Sequence, residues 1–405
     1  MPSATPPRPI RLRISPAAER AVRSGHPWVY ADSIRDQHRE GVTGDLAVVF
    51  DRQDRFLAIG LYDAESPIRL RILHAGPPVA LDEAWWIRHL RGTLARRDGL
   101  FGPDTTGHRW IHGESDGWPG LVLDRYDGTL VLKLYSAAWL PRIPELAARL
   151  REILNPGRLV LRLSRNCREA GTRAGVTDGA DLWPADGAER VPFLENGLTF
   201  EAEVLRGQKT GFFLDQRDNR RRLGEMAAGA RVLNLFSYTG GFSVYAAHGG
   251  ARSVTDLDIS AHAIEQARRH FRLNRHLPAV AQARHEAIQA DAFEWLAGPA
   301  TPAFDLIILD PPSLARRESE RDDALKAYDH LVRGAVRRLL PGGRLLAASC
   351  SAHVTAAEFF ETVRNAIRRS ARGFRELGTT GHPPDHPSGF AEAAYLKALY
   401  IESAA

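Results

Sequence analysis

The chain has 405 residues, of which 44% are hydrophobic and 25% are charged, and this composition is typical of two or three globular domains. The formal net charge of +5 and the pI of about 9.4 permit RNA binding without indicating it. Two distant cysteines exclude a disulfide framework, and Cys and His nowhere have zinc-ligand spacing, so we expect no bound metal. Met1–Arg13 lacks the apolar core of a signal peptide and no apolar run reaches membrane-spanning length, so we expect a cytoplasmic protein.

The first segment, residues 1–78, predicts a small β-rich domain. Acidic turn residues separate its short apolar runs, and Gly76-Pro77-Pro78 indicates a linker. The predicted strands are Leu46–Phe50, Phe56–Tyr62 and Ile68–Leu73.

The middle segment, residues 79–195, predicts a small central α+β domain. Asp127-Gly128 between two apolar stretches is typical of a β-hairpin turn. Ala170–Glu189 is rich in Gly, Asp and Ala and predicts a loop. The other predicted elements are a helix over Leu81–Arg97, strands over Gly120–Asp124 and Thr129–Tyr135, a helix over Pro144–Leu154 and a strand over Leu159–Leu163.

The third segment, residues 196–405, predicts an α/β domain in which apolar strands alternate with helices from Arg231 onward. Such alternation is typical of a mostly parallel, Rossmann-like sheet covered by helices, with the common strand order 3-2-1-4-5. The predicted strands are Val232–Phe236, Val254–Leu257, Glu286–Ala290, Leu306–Leu309 and Arg344–Ser349, and the predicted helices include Ala261–Asn274 and Ala324–Leu340.

Ligands of such sheets bind beyond the carboxyl ends of the strands. The first strand leads into a turn that contains Gly240-Gly241, where glycines let the backbone bend sharply. The next two strands are followed by Asp258, which can accept both ribose hydroxyls, and by Asp291, which can contact an adenine amino group. The turn lacks the GxGxxG spacing that accommodates a pyrophosphate, which favours S-adenosylmethionine (SAM) over NAD. The cofactor contacts predicted at these strand ends are Asn234, Phe236, Tyr238, Gly240, Asp258, Asp291, Ala292 and Asp310.

The fourth and fifth strands end in Asp310-Pro311-Pro312-Ser313 and Ser349-Cys350-Ser351. Because adjacent strands lie about 4.8 Å apart, Asp310 and Cys350 should face one pocket. A thiolate that adds to C6 of cytosine makes C5 nucleophilic enough to take a methyl group, and Asp310 can bond the N3/N4 edge of the ring. Such chemistry requires a thiol with a lowered pKa or a nearby base.

Two alternatives stay open at this point. Cys350 can be a small buried apolar residue, the usual state of cysteine, although its position between two serines at a strand end favours a catalytic role. The Asp-Pro-Pro motif also occurs in enzymes that methylate exocyclic amines, where an aromatic residue follows. Ser313 stands at that position here and favours the cytosine-C5 interpretation.

The chain carries Gln208–Arg220, Asn234–Phe242, His112–Gly120, Asp124–Tyr126, Asp310–Pro312, Ser349–Ser351 and Asp385–Pro387. Together these runs resemble the RlmI-type large-subunit rRNA cytosine-C5 methyltransferases over nearly the whole chain. The resemblance implies an N-terminal PUA β-barrel that binds RNA, a central domain and a C-terminal SAM-binding domain. His26–Tyr30 resembles the PUA signature.

The resemblance also implies roles for single residues. It makes Cys350 the nucleophile and Asp310 its catalytic partner, with substrate contacts at Pro311, Pro312 and Ser313. It adds Phe212, Gln216 and Asn219 to the cofactor contacts, with Gln216 and Asn219 on one helix face. Many RNA cytosine-C5 methyltransferases carry a second cysteine where Ser313 stands, so the base that removes the C5 proton is unassigned; His353 and His386 are candidates.

The sequence thus predicts a SAM-dependent enzyme that forms 5-methylcytosine in large-subunit rRNA. Methylation of a base nitrogen is the enzyme alternative, and a non-catalytic RNA-binding assembly factor is the alternative from another class. The target nucleotide and the state of the rRNA substrate stay open, as does assembly into a homodimer.

Overall fold

The computed structural model describes residues 8–183, 187–299, 303–369 and 373–404. The chain divides into two compact units. Unit 1 comprises Met1–Phe193, Glu201–Phe213 and Pro384–Phe390, and unit 2 comprises Leu194–Phe200, Leu214–Pro383 and Ala391–Ala405. Within the described ranges, no helix combines the length and the apolar character that a membrane span requires.

Unit 1 begins with a mixed sheet. Its strands are β1 (Ile10–Ile14), β2 (Trp28–Tyr30), β3 (Ile34–Gln37), β4 (Leu46–Phe50), β5 (Phe56–Tyr62) and β6 (Ile68–Ala75), and it carries helix α1 (Pro16–Arg23). The strand order is β2-β6-β5-β4-β1-β3. The alternation of apolar and charged residues explains why β1 forms a strand at the core: Ile10, Leu12 and Ile14 are buried, whereas Arg11 and Arg13 are exposed. The predicted bounds of β4 and β5 are confirmed, and β6 extends two residues beyond the prediction.

A second sheet of unit 1 follows. Its elements are α2 (Glu83–Ala95), β7 (Gly107–His112), β8 (Leu121–Tyr126), β9 (Thr129–Leu134), α3 (Ile143–Leu154), β10 (Arg158–Leu163), α4 (Arg168–Arg173) and β11 (Ala180–Asp181), with the strand order β11-β10-β9-β8-β7. Asp127, in the left-handed region at φ 52°, closes the predicted hairpin between β8 and β9. The indole rings of Trp86, Trp118 and Trp139 pack together in its core.

The predicted loop over Ala170–Glu189 is wrong in part, because it contains the second half of α4 and the strand β11. Hydrogen bonds hold this segment on β10. The Asp178 carboxylate accepts from Arg162 Nε at 2.9 Å and from the backbone N–H of Leu163 at 2.8 Å. An acidic residue that is typical of turns therefore serves here as an ion-pair partner. Residues 184–186 of the predicted loop lie outside the described residues.

Two further strands, β12 (Arg190–Glu195) and β13 (Leu198–Glu203), form a small sheet. The main sheet of unit 2 consists of β14 (Arg231–Leu235), β15 (Ser253–Asp258), β16 (Arg284–Gln289), β17 (Phe304–Leu309), β18 (Leu339–Ser349), β19 (Phe374–Thr380) and β20 (Lys397–Ser403). Its helices are α5 (Arg217–Glu225), α6 (Gly241–His248), α7 (Ala261–Leu273), α8 (Pro278–Gln282), α9 (Ala292–Ala297), α10 (Arg321–Val336) and α11 (Ala356–Arg368).

The main sheet has the order β16-β15-β14-β17-β18-β20-β19. The predicted order 3-2-1-4-5 is confirmed in its first five strands, which are parallel. The last two strands, β20 and β19, are antiparallel additions that the sequence pattern did not indicate. The three predicted domains, 1–78, 79–195 and 196–405, stay a prediction.

Several predicted bounds in unit 2 differ from those of the structure, and two of the differences have a clear physical reason. The helix predicted to reach Leu340 ends at Val336, because Leu339 already pairs with Phe304 as the first residue of β18. The first strand stops at Leu235, because Phe236 turns into the left-handed region at φ 57°. In both places, tertiary pairing and the geometry of a turn override the apolar pattern along the chain.

A buried ion pair stabilises unit 1. The side chains of Arg97 and Asp116 are 1% and 0% exposed, and two guanidinium nitrogens of Arg97 donate to the two carboxylate oxygens of Asp116. The backbone N–H of His112 also donates to this carboxylate, at 2.7 Å. Removing only one partner of such a pair lowers the stability of the fold, because the charge of the other partner stays buried without compensation.

We expect Asp116→Ala to lower the free energy of unfolding by about 3–5 kcal/mol, since it leaves the Arg97 guanidinium buried without its carboxylate. Urea unfolding followed by tryptophan fluorescence measures this loss, because Trp86, Trp118 and Trp139 report on the same unit. The control is Glu169→Ala, which removes an exposed partner of Arg173 and should change stability little. Equal effects of the two variants would contradict the expectation.

Candidate functional site

The turn after β14 has a strained and compact backbone. Phe236 and Tyr238 lie in the left-handed region at φ 57° and 47°, where residues with a side chain are uncommon. Within this turn, the N–H of Gly240 donates to the carbonyl of Ser237 at 2.9 Å. Strain of this kind is retained where the surroundings fix it, and it is concentrated at functional sites.

Gly240 is required by packing as well as by its backbone conformation. Its φ is +72°, and a Cβ at this position would lie 2.9 Å from the Cβ of Ala267 on α7 and 3.2 Å from a carboxylate oxygen of Asp256. A side chain therefore cannot be added without moving α7. The glycine allows the turn and the helix to approach each other closely.

Asn234, at the end of β14, faces the interior of unit 2. It is 1% exposed, and its Nδ2 donates to Ser243 Oγ at 2.9 Å and to Asp256 Oδ1 at 3.1 Å. His285 also bonds Asp256, at 2.8 Å. The Asn234 side chain thus fastens β14 to α6 and β15, and its predicted cofactor contact stays a prediction.

Two carboxylates stand at the ends of the neighbouring strands. Asp258 accepts the backbone N–H groups of Tyr238 and Ser260, each at 2.9 Å, one on each oxygen. Asp291 caps α9 and accepts the backbone N–H groups of Phe293 and Glu294 through Oδ1. These backbone bonds fix the orientation of both carboxylates.

The turn and the two carboxylates fit SAM. The structure keeps Ser237 Oγ and Thr239 Oγ1 buried, and neither has a hydrogen-bond partner among the described residues. Buried polar atoms of this kind are normally satisfied, so their position indicates a site for a polar ligand or water. Each oxygen of Asp258 accepts one backbone bond and keeps a second lone pair for a ribose hydroxyl, and Oδ2 of Asp291 can accept from an adenine amino group.

Gln216 and Asn219 lie together as predicted. Asn219 Nδ2 donates to Gln216 Oε1 at 2.6 Å, and Gln216 Nε2 donates to Asp310 Oδ2 at 2.9 Å. Asn219 Oδ1 in turn accepts from the hydroxyls of Thr380 and Tyr400, at 2.5 and 3.1 Å. This chain of bonds orients the Asp310 carboxylate from β19 and β20, the two strands that the sequence pattern did not indicate.

Phe212 lies in the other unit. It is buried in unit 1, where its ring packs against the ring of Phe193 with a centroid distance of 5.1 Å. Its predicted contact with the cofactor stays a prediction. Of the other predicted contacts, Ala292 is buried as the first residue of α9.

Asp310 and Cys350 follow β17 and β18, which are paired and parallel. Both residues are half-buried. The Tyr328 hydroxyl on α10 lies within electrostatic range of both: burial raises its pKa above the usual value, and the charges of Cys350 and Asp310 add to that rise. Tyr328 also lies 2.8 Å from Ser349 Oγ. The two predicted catalytic groups thus follow neighbouring strands, and both interact electrostatically with one hydroxyl.

The loops that follow β17 and β18 are joined by a small hydroxyl network. Ser313 Oγ and Ser351 Oγ lie 3.1 Å apart, and both donate to the carbonyl of Ala315. Ser351 Oγ also accepts from the N–H of Ala315 at 3.1 Å. This network fixes the Asp310 loop relative to the Cys350 loop, with Pro311 buried and Pro312 exposed.

The two histidines considered as bases occupy different surroundings. His353 lies in unit 2 with Nδ1 3.5 Å from Glu318, and its side chain is 40% exposed. His386 lies in unit 1, where it is fully buried, bonds Asp385 at 3.0 Å and packs against the ring of His112. The role of either histidine as a base stays a prediction.

The sequence pattern did not predict several polar residues that lie near the candidate site. Tyr328 lies within α10, Thr380 within β19 and Tyr400 within β20, and nothing in the local sequence distinguishes them from other residues of these elements. Lys397 is 2% exposed, although lysine is almost never fully buried. The signal that could have identified it is the rarity of lysine in an arginine-rich chain.

We expect Gly240→Ala to lower the free energy of unfolding by about 2–3 kcal/mol, because the new methyl group meets α7 and occupies the left-handed region. Gly229→Ala is the matched control: φ is +70° there, but a Cβ would have no atom within 4 Å. It should cost about 1 kcal/mol through backbone strain alone. Urea unfolding followed by circular dichroism compares them, and equal losses would refute a steric role for Ala267.

Comparisons with known proteins agree with this geometry. The family model described as S-adenosylmethionine-dependent methyltransferase matches residues 108–402, and a PUA-like domain model matches residues 12–75. A Deinococcus radiodurans protein named ribosomal RNA large subunit methyltransferase is 56% identical over 99% of both chains. An Alteromonas mediterranea protein named ribosomal RNA large subunit methyltransferase I is 31% identical over 96% of this chain and 98% of its own.

Solved structures show the same fold. A structure described as a SAM-dependent methyltransferase from Streptococcus mutans matches with a TM-score of 0.81 and 24% identity, over 97% of this chain and 99% of its own. A second methyltransferase, complexed with SAH, matches with a TM-score of 0.82 at the same identity and coverage. The predicted fold, with a PUA-like domain and a SAM-dependent methyltransferase domain, is therefore confirmed. The chain belongs to the RlmI-type family of S-adenosylmethionine-dependent methyltransferases.

Proposed function

We propose that this protein methylates C5 of a cytosine in large-subunit rRNA, with Cys350 as the nucleophile. The substrate class follows from the names of its relatives, which describe ribosomal RNA large subunit methyltransferases. The observation that carries the chemistry is the half-buried Cys350 at the end of β18, beside the strand that leads to Asp310. A strand-end thiol next to a methyl-donor site is suited to covalent activation of a base.

The cofactor lies along the turn after β14 in this proposal. When bound, SAM supplies an electrophilic methyl group on its sulfonium sulfur. Asp258 would bind the ribose hydroxyls, and Asp291 would bind the adenine amino group. The remaining contacts within unit 2 would come from Gln216, Asn219, Asn234, Phe236, Tyr238, Gly240, Ala292 and Asp310.

Cys350 acts on the cytosine ring in two stages. Its thiolate forms a bond to C6, and the electron pair of the C5–C6 double bond moves to C5. That pair forms the bond to the methyl group while the methyl–sulfur bond of bound SAM would break, with its electrons remaining on the sulfur of the S-adenosylhomocysteine product. A base or a water molecule then removes the proton from C5. The electron pair of that C–H bond restores the double bond, and the C6–S bond breaks to release the thiolate.

Asp310 positions and stabilises the ring. The Gln216 amide donates to Oδ2 of Asp310 and thereby fixes the plane of the carboxylate. A carboxyl group held in this way binds the N3/N4 edge of the cytosine: it accepts from the amino group and, in its protonated form, donates to N3, which offsets the negative charge that the thiolate brings to the ring. Pro311, Pro312 and Ser313 form the adjacent wall, and the hydroxyl network keeps that wall beside Cys350.

RNA binding is assigned to the PUA-like domain in this proposal. Within unit 1, the rings of His26, Trp28 and Tyr30 form a cluster with Phe390. Tyr30 is 41% exposed, and Trp28 is half-buried with its indole N–H bonded to Glu114 at 2.8 Å. Exposed aromatic faces stack on unpaired bases without reading their sequence.

Methylation of a base nitrogen is the second candidate. The Asp310-Pro311-Pro312 motif favours it, because such motifs also bind exocyclic amines. Ser313, in place of an aromatic residue, disfavours it. The two candidates differ in whether a covalent bond to Cys350 forms, and the assembly-factor alternative differs from both in needing no cofactor.

We expect the protein to form a covalent adduct with rRNA that contains 5-fluorocytosine, because fluorine at C5 cannot leave as a proton. Cys350→Ala should abolish both this adduct and 5-methylcytosine formation. The control is Cys167→Ala, which removes a thiol whose pKa is raised by burial in unit 1 and should keep both activities. Gel shift and nucleoside mass spectrometry provide the two readouts. Methylation of a nitrogen at wild-type rate by Cys350→Ala would refute the proposal.

We expect Asp258→Ala to weaken SAM binding about tenfold or more, since charge-assisted hydrogen bonds contribute roughly 1.5–3 kcal/mol each. Titration calorimetry measures the dissociation constant directly. Glu265→Ala, on the exposed face of α7, is the matched loss of one carboxylate and should leave affinity unchanged. A wild-type protein that does not bind SAM would instead favour the assembly-factor alternative.

A further inference from the structure

Lys397 has a buried side chain beside Cys350. It is the first residue of β20, which runs antiparallel to β18, and it pairs there with Ser349, the residue before Cys350. The residue is 2% exposed. A buried ammonium group is costly unless hydrogen bonds and opposite charges compensate for its lost hydration.

The Lys397 ammonium group binds the turn that follows Cys350. Its Nζ donates to the carbonyl oxygens of Ser351 and Val354. Two of its three N–H donors are therefore held by the loop that carries the thiol. This geometry fixes a positive charge close to the Cys350 side chain.

The surrounding charges agree with this position. Burial lowers the pKa of Lys397 to about 8, and the negative charges of Cys350 and Glu358, the latter on α11, act in the opposite direction. Tyr328, which burial keeps neutral, interacts electrostatically with both Cys350 and Asp310, and the negative charge of Asp310 opposes a thiolate. Lys397 thus supplies a buried positive charge that favours a thiolate at Cys350.

We propose that Lys397 is a positioning residue that keeps Cys350 as a thiolate, through its buried charge and its bonds to the Ser351–Val354 turn. The proposal rests on the proposed function, in which the thiolate is the attacking group. The sign follows from linkage: a nearby ammonium favours the charged thiolate, and the thiolate in turn keeps Lys397 protonated as the pH rises. Removing the ammonium should therefore move thiol ionisation to higher pH.

The test measures the ionisation of the Cys350 thiol in the full-length protein. In a Cys167→Ala background, the rate of alkylation by iodoacetamide against pH gives the pKa of the remaining thiol. We expect Lys397→Met to raise the pKa of the Cys350 thiol by about one pH unit and to slow its alkylation at pH 7 roughly tenfold. Lys397→Arg, which keeps the charge, should retain most of the reactivity. Lys326→Met removes an exposed lysine of α10 and is the matched control, with no change expected.

A purely structural role would give a different result. If Lys397→Met keeps the far-ultraviolet spectrum and SAM affinity of the parent but titrates at the same pH, the proposal is refuted. The methylation rate of Lys397→Met should also recover as the pH is raised, because the thiol then ionises without help. A variant defective only through a displaced loop would show no such recovery, and that outcome would also count against the proposal.

Two measurements keep the test decisive. If Lys397→Met does not fold, the thiol titration of the Cys167→Ala protein decides alone: a pKa at or above the ordinary value of about 8.5 overturns the proposal, and a lower value supports it. Failure of the proposed function is seen separately, as methylation by Cys350→Ala. The thiol titration does not depend on that outcome.

Discussion

The parallel pairing of β14 with β15 and β17, and of β17 with β18, is the constraint on which the site depends. Parallel strands in register end at the same edge of the sheet, so the residues after each strand meet there whatever their distance along the chain. Asp258, Asp310 and Cys350 are brought together in this way. The core beneath them is formed by apolar strand residues such as Leu233 and Ile307. The fold thus fixes the positions of the polar groups before any ligand binds.

Hydrogen bonds from the backbone and from interior side chains then fix the orientation of those groups. Asp258 and Asp291 are held by backbone N–H groups. The Asp310 carboxylate accepts from Gln216, which is held by Asn219, and Asn219 is in turn held by residues of β19 and β20. A site held by its supporting residues needs little reorganisation when charge develops on a substrate.

The sequence pattern predicted those parts of the fold that depend on local alternation and on common topology. β4 and β5 and the order of the parallel strands could be predicted, because apolar runs and intervening helices specify them. The strands β19 and β20 could not, because their antiparallel pairing with β18 is set by contacts distant in sequence. Of the residues missed at the site, Thr380, Tyr400 and Lys397 lie on these two strands, and Tyr328 lies on α10. Family resemblance supplied Gln216 and Asn219, which no spacing rule would have joined to Asp310.

The choice of lysine at position 397 supports an electrostatic role for this side chain. Lysine and arginine together number 54, and lysine occurs only at positions 133, 209, 326 and 397, so arginine is the ordinary cation of this chain. A buried brace for carbonyl groups does not require lysine, since Arg338 donates to the carbonyls of Leu296, Gly334 and Trp295. Arginine stays charged and spreads its charge over a planar fork, whereas lysine concentrates the charge at one nitrogen and shifts its pKa when buried. A charge concentrated at one nitrogen interacts strongly with a neighbouring thiolate. A side chain that only donated hydrogen bonds to carbonyl groups would not require this property.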